Sequence, residues 1–141
     1  MSPGKKQTVT EVTAAVILRD GRVLIARRRK GDRQGGKWEF PGGKRLPGES
    51  PEEGLRRELY EELGVRCRIG LPFGTWEHTY DYGAIRLLFY LVSDLKGDIR
   101  LNTHEEARWV LPGELISYDF SEADRPAALK IAEEMSKPVS G

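Results

Sequence analysis

The hydrophobic positions of the chain form short β-type runs that are separated by two helical patterns. β-branched residues are frequent in Val9–Arg19, and a second apolar run, 23–26, follows the turn dipeptide Asp20–Gly21. Two such runs joined by a tight turn predict a β-hairpin. Further β-type runs predict strands at 66–69, 75–82, 85–92 and 107–110.

The first helical pattern has well-marked ends. Ser50 and Pro51 predict its start, and Glu53 completes a capping box with Ser50. Gly64 predicts the C-cap. Three leucines recur every fourth residue and give the helix one apolar stripe: Leu55, Leu59 and Leu63. A second helix is expected from about 121 to 135, so the fold class is α/β, with a mixed sheet between two helices.

Glycine and proline interrupt the pattern between the hairpin and the first helix. The segment 27–36 is basic and rich in glycine, which predicts a loop. The segment 41–43, Pro-Gly-Gly, is expected to break any regular element. Function is expected beside this loop.

Composition limits the possible functions. The 141 residues suit one domain at 9–138 after a flexible segment at 1–8. The net charge of +1 favours neither nucleic acid nor an acidic partner, and no apolar run is long enough to span a membrane. The single Cys67 cannot form an internal disulfide, so a cytoplasmic setting is expected.

Three carboxylates crowd one side of the first helix. At 100° per residue, Glu58, Glu61 and Glu62 fall within an arc of about 100°. Like charges at this spacing repel unless a cation lies between them. Oxygen ligands without histidine or thiolate suit Mg²⁺ or Mn²⁺. The alternative is an ordinary solvated face.

The surrounding residues favour the metal site. The pattern Gly43-x5-Glu49-x7-Arg57-Glu58-Leu59-x-Glu61-Glu62-x-Gly64-Val65 resembles the signature of the Nudix hydrolases at every defined position. This resemblance implies a loop–helix–loop on an α/β/α sandwich, which binds divalent metal and hydrolyses a diphosphate linked to another group.

The resemblance also implies roles for individual residues. The expected catalytic residues are Glu58, Glu61, Arg57 and Glu49, with Arg57 paired to Glu49. The expected Mg²⁺ ligands, for which Mn²⁺ can substitute, are Gly42, Glu58, Glu61, Glu62 and Glu105. Which glutamate acts as the base stays open, as does whether Glu105 or Glu106 reaches the metal. The alternative for 106–109 is an ordinary strand.

The segments 38–44 and 26–29 resemble the MutT branch of the family. That likeness implies cleavage of a nucleoside triphosphate to monophosphate and pyrophosphate, as in nucleotide-pool sanitation, by a monomer or homodimer. Arg28 is expected to bind phosphate, and Asp124 stands where relatives read 8-oxoguanine with asparagine. Asp124 has a helix N-cap as its alternative role. Alternative functions are hydrolysis of CTP, a modified cytidine nucleotide or ADP-ribose, and nucleotide sensing without cleavage.

Overall fold

The computed structural model describes residues 9–136. The predicted flexible segment 1–8 and the last two residues of the predicted domain lie outside the described residues. The strands are β1 (Val9–Arg19), β2 (Arg22–Arg28), β3 (Trp38–Glu39), β4 (Gly42–Lys44), β5 (Arg66–Tyr80), β6 (Gly83–Lys96) and β7 (His104–Val110). The helices are α1 (Pro51–Leu63), a 3₁₀ helix (Pro112–Ser117) and α2 (Arg125–Met135).

The strands form one mixed sheet, as predicted. Its main order is β3-β2-β1-β6-β5, with β4 also paired to β1 and β7 also paired to β2. The β1–β6 pair is parallel and the remaining pairs are antiparallel. The predicted hairpin joins β1 and β2, and its turn residues Asp20 and Gly21 have φ angles of 52° and 75°. Positive φ at both positions is the geometry of the type I′ turn, one of the two turns favoured in two-residue hairpins.

Alternate residues of β1 supply two separate cores. Ala14 and Val16 pack in the core that includes Ile131 of α2. Ala15 and Ile17 pack in the other core, which contains the leucine stripe of α1. Since successive side chains of a strand point to opposite faces, the two helices cover opposite faces of the sheet. The α/β/α sandwich is therefore confirmed.

The predicted ends of α1 are also confirmed. The Glu53 N–H donates to Ser50 Oγ at 3.1 Å, and the Ser50 N–H donates to Glu53 Oε1 at 3.2 Å. Gly64 closes the helix in the left-handed conformation, with φ of 69°. These caps fix the ends of α1 and so the position of its acidic face, which consists of Glu58, Glu61 and Glu62.

The prediction of a broken element at 41–43 is confirmed for β3, which ends at Glu39 before Pro41, and is wrong for the two glycines. Gly42–Lys44 forms β4 and pairs with β1, placing Gly42 opposite Ala14 and Gly43 opposite Thr13. The lack of side chains allows this approach, since a Cβ built on Gly42 would lie 2.0 Å from the Thr13 carbonyl oxygen. Glycine here creates a tight strand contact rather than a turn.

Other boundaries differ because irregular strands continue through residues that usually end them. The run 66–69 and most of the run 75–82 are one strand, β5, which ends at Tyr80 and has register shifts between Ile69 and Gly74. Strand β7 begins at His104 rather than 107, and α2 begins at Arg125 rather than about 121. The 3₁₀ helix was not predicted. Within residues 9–136, no helix has the length and apolar character to span a membrane.

Candidate active site

Arg57 of α1 ties the loop before the helix to the helix itself. Its Nε donates to Glu49 Oε2 at 2.8 Å, and its Nη2 donates to Glu49 Oε1 at 3.1 Å. The same Nη2 donates to the Lys44 carbonyl at 3.0 Å. This two-point contact confirms the predicted Glu49–Arg57 pair, and it fixes the guanidinium plane against the end of β4.

The other side of the Arg57 guanidinium holds two of the three helix glutamates. Its Nη1 donates to Glu58 Oε1 at 2.9 Å and to Glu61 Oε2 at 3.1 Å. The third glutamate, Glu62, accepts a hydrogen bond from the Gly42 N–H at 3.2 Å through Oε1. The structure therefore gathers all three predicted carboxylates along the end of β4.

Gly43 lets α1 pack close to β4. A Cβ on Gly43 would lie 2.4 Å from Glu58 Oε2, which is inside van der Waals contact. The Gly43 carbonyl also accepts a hydrogen bond from Thr13 Oγ1 at 3.1 Å. A side chain at this position would displace Glu58 from the site.

The electrostatics of the acidic face fit a divalent cation. Burial raises the pKa of Glu58, and burial with the negative charges of Glu39 and Glu58 raises the pKa of Glu62 to about 8. Each helix glutamate uses one oxygen in the contacts above, which leaves Glu58 Oε2, Glu61 Oε1 and Glu62 Oε2 for a cation. Among residues 9–136, no group of three or more acidic, histidine or cysteine side chains is arranged in this structure so that it could hold a metal ion.

A cavity of about 400 Å³ opens beside this acidic face. Gly42, Gly43 and Glu62 line its inner end. Its other walls include polar groups from distant parts of the chain, namely Arg28, Arg33, Gln34, Glu39, Tyr80, Tyr82 and Asp124. The cavity thus joins the two predicted substrate residues, Arg28 and Asp124, to the predicted metal face.

Arg28 is held in the cavity wall by two acceptors. Its Nη1 donates to Glu39 Oε1 at 2.9 Å, and its Nε donates to the Arg33 carbonyl at 2.6 Å. The other oxygen of Glu39, Oε2, lies 2.8 Å from His104 Nε2. Three of the five Arg28 N–H groups are left for a ligand.

Asp124 is almost completely buried, with 4% of its surface exposed. Its Oδ2 accepts a hydrogen bond from the Phe40 N–H at 3.0 Å. Burial, with a smaller effect of the negative Glu39, raises the pKa of Asp124 to about 8. Although Asp124 is the residue before α2, its side chain makes no capping hydrogen bond. The alternative role as a side-chain cap is therefore wrong.

Glu105 and Glu106 lie in β7 and contact Arg27. Arg27 Nε is 2.8 Å from Glu105 Oε1, and Arg27 Nη2 is 3.1 Å from Glu106 Oε1. The first contact is an ion pair without hydrogen-bond alignment. The alternative of an ordinary strand for 106–109 is thus confirmed. Neither carboxylate lines the cavity, so metal binding by Glu105 stays a prediction.

Two polar residues of this site were not predicted from the sequence. Glu39 sits between the buried aromatics Trp38 and Phe40, and this alternation within a short strand was the available signal. His104 is 3% exposed, yet nothing in its local sequence distinguishes it from a surface histidine. Three aromatic side chains, Phe40, Tyr80 and Tyr82, also line the cavity, and Phe40 belongs to the core as well.

Comparisons with known proteins agree with this fold and site. A family model described as the NUDIX domain matches residues 9–131. The CTP pyrophosphohydrolase of Escherichia coli K12 is 38% identical over 82% of this chain and 86% of its own length. A putative 8-oxo-dGTP diphosphatase 2 of Mycobacterium tuberculosis H37Rv is 36% identical over 81% of this chain and 82% of its own. The solution structure of the E. coli ORF135 protein matches with a TM-score of 0.82 and 33% identity, covering 99% of this chain and 100% of that one.

The chain therefore belongs to the Nudix family and is a hydrolase with MutT-like relatives. Nudix hydrolases act on small nucleotide substrates and generally use a divalent metal, typically Mg²⁺. Because this family and the named relatives are hydrolases, the chain is an enzyme, and the alternative of a binding module without hydrolytic activity is wrong.

Proposed function

We propose that this enzyme hydrolyses a nucleoside triphosphate to the monophosphate and pyrophosphate. The observation that carries the proposal is the continuity of the cavity: the glutamate face at Gly42, Gly43 and Glu62 opens directly into a space bounded by Arg28. A phosphate chain placed between them meets acidic metal ligands on one side and a guanidinium on the other. That is the charge arrangement that a polyphosphate requires.

The chain's own residues divide the work. Arg57 holds Glu58 and Glu61 in place through Nη1, while the Gly42 N–H orients Glu62. The free N–H groups of Arg28 bind and align phosphate oxygens. The helix carboxylates and the Gly42 backbone would hold Mg²⁺, which would supply charge to neutralise the phosphates and would lower the pKa of the attacking water. Glu58 or another of the clustered glutamates takes the proton from that water.

Asp124 is the group we propose for base recognition. With a pKa of about 8, its carboxyl carries a proton at neutral pH. A protonated carboxyl both donates and accepts, as asparagine does, so it suits the donor and acceptor edge of 8-oxoguanine. This supports 8-oxo-dGTP as a substrate and nucleotide-pool sanitation as the role.

CTP, or a modified cytidine triphosphate, is the second candidate. When ionised, Asp124 only accepts, which suits the exocyclic amine of cytosine. The CTP pyrophosphohydrolase among the relatives supports this substrate. We further propose that the protein is a single domain at 9–138, works in the cytoplasm as a monomer or homodimer, and needs no nucleic-acid or membrane partner.

The deciding experiment is a nucleotide panel with Mg²⁺. Purified enzyme is given 8-oxo-dGTP, dGTP, CTP, dCTP and ADP-ribose, and pyrophosphate and orthophosphate are measured separately. We expect pyrophosphate from a triphosphate. Release of orthophosphate alone, or cleavage of ADP-ribose alone, would contradict the proposal.

A further inference from the structure

His104 is a buried histidine, and its side chain contacts Glu39, which lines the cavity of the candidate active site. It opens β7, opposite Arg28 of β2, at a point where the register of the two strands shifts. Because of this placement its side chain points inward, whereas the next residue, Glu105, contacts Arg27 instead. Only 3% of His104 is exposed.

Both ring nitrogens of His104 have partners. Nε2 lies 2.8 Å from Glu39 Oε2, and Nδ1 lies 3.3 Å from Thr103 Oγ1. An ionised carboxylate only accepts, so Nε2 carries the proton. Nδ1 is then an acceptor for the Thr103 hydroxyl, and one neutral tautomer satisfies both contacts.

The Glu39 carboxylate also contacts Arg28, the proposed phosphate-binding residue. Glu39 Oε2 is held by His104, and Glu39 Oε1 accepts from Arg28 Nη1 at 2.9 Å. Rotation of the Glu39 carboxylate would break both contacts at once. The ring therefore fixes the angle from which Glu39 holds Arg28.

We propose that His104 is a positioning residue for substrate binding: through Glu39, it sets the orientation in which Arg28 presents its free N–H groups to the phosphate chain. This rests on the proposed function for the role of Arg28. His104 itself lies outside the cavity lining and touches no substrate. Its effect is therefore on binding of the nucleotide rather than on proton transfer.

The test compares two substitutions of His104 on the best triphosphate from the panel. His104→Leu removes the donor to Glu39 and leaves a buried acceptor unpaired, so we expect KM to rise about tenfold or more, with kcat changing much less. His104→Gln places an amide N–H where Nε2 was and is expected to recover most of the loss. Arg108→Gln, an exposed position on the same strand, is the control and should leave both constants unchanged.

A double-mutant cycle separates positioning from simple loss of stability. If His104 acts through Glu39, adding His104→Leu to Glu39→Gln should raise KM by less than about twofold further. The proposal would be overturned if the KM increases of the two single variants multiplied fully in the double variant. It would also be overturned if the melting temperature fell while KM stayed unchanged in all folded variants. Thermal denaturation of each variant shows which remain folded.

A spectroscopic measurement tests the arrangement without relying on activity. The protein has two histidines, so ¹⁵N NMR resolves both rings. We expect Nε2 of the His104 ring to carry the hydrogen that it shares with Glu39, and its signal to move in Glu39→Gln more than in Arg108→Gln. An Nε2 without a hydrogen would contradict the inference even if the panel shows hydrolysis. A hydrogen-bearing Nε2 with no hydrolysis on the panel would instead contradict only the proposed function.

Discussion

The two ends of the cavity are built in different ways. The metal end comes from one continuous segment, 42–64, in which Arg57 collects the carboxylates of its own helix and the preceding loop. The substrate end is assembled from residues of four separate parts of the chain: Arg28, Glu39, His104 and Asp124. The first group is partly exposed, whereas His104 and Asp124 are almost fully buried.

We infer from this difference that the metal end carries the hydrolytic chemistry and that the other end determines how the substrate is recognised. A short segment with fixed spacing is enough to place metal ligands, because a helix turn sets their distances. Buried polar groups from distant strands have to satisfy one another, so a single change there alters how the nucleotide is bound. We therefore expect substitutions at the metal end to remove turnover, and substitutions at the substrate end to change KM or the preferred base.

The largest expected effect is that of metal removal. Excess EDTA should abolish hydrolysis, and Mg²⁺ or Mn²⁺ should restore it, because the clustered carboxylates need a cation to bind a polyanion. The activity is expected to be higher at alkaline pH, where more of the attacking water is ionised. Pyrophosphate release followed in metal-free buffer checks this. Full activity there would refute the assignment of the acidic face.

Next in size is the effect of Glu58→Gln. The amide is nearly isosteric but lacks the charge that holds metal, so kcat should fall by about 10²–10⁴-fold with the fold retained. Glu53→Gln is the matched control on the same helix. Glu53 caps the helix through the Ser50 N–H and does not line the cavity, so its loss should cost about 1 kcal/mol or less of stability. Equal losses of kcat in the two folded variants would show that the metal face is misplaced.

The metal end could be predicted in detail because its information is local. The spacing of Glu49, Arg57 and the helix glutamates specifies a loop and two helical turns, and the Ser50 cap fixes where the helix begins. The structure shows the predicted Glu49–Arg57 pair. Strand β4 was missed, because two adjacent glycines usually end a strand. Here they form one, because their lack of side chains lets β4 approach the Thr13 backbone of β1 closely.

The substrate end could be predicted only in part. Arg28 and Asp124 were expected in the site, but their link through the cavity depends on how β2, β3 and the start of α2 pack. Glu39 and His104 meet across 65 positions of sequence. No local periodicity specifies such a contact, because it results from the antiparallel pairing of β2 with β3 and β7. Burial of a histidine is likewise a property of the assembled sheet.

A smaller effect is expected for Asp124→Asn, which changes preference rather than turnover. Asn donates at every pH, whereas Asp124 does so only below its pKa of about 8. In the parent enzyme, the ratio of kcat/KM for 8-oxo-dGTP to that for CTP should fall as pH rises from 7 to 9. In Asp124→Asn the ratio should vary little with pH, so at pH 9 it should favour 8-oxo-dGTP by about tenfold more than in the parent enzyme. An unchanged ratio at pH 9 in the variant would place base selection elsewhere.

The smallest expected effect is on stability, and it isolates the burial of Asp124. The folded pKa of about 8 is above the ordinary 3.8, so the folded protein binds the proton more tightly than the unfolded chain. The resulting stability is fully present below about pH 4 and is lost as pH rises towards 8. Asp124→Asn lacks this loss and keeps an acceptor for the Phe40 N–H. Measured in EDTA, its melting temperature relative to the parent should therefore increase between pH 5 and 8, by roughly 3 °C or more. Since Glu62 titrates in both proteins, it cancels in the comparison, and a difference independent of pH would show that Asp124 is ionised in the folded state.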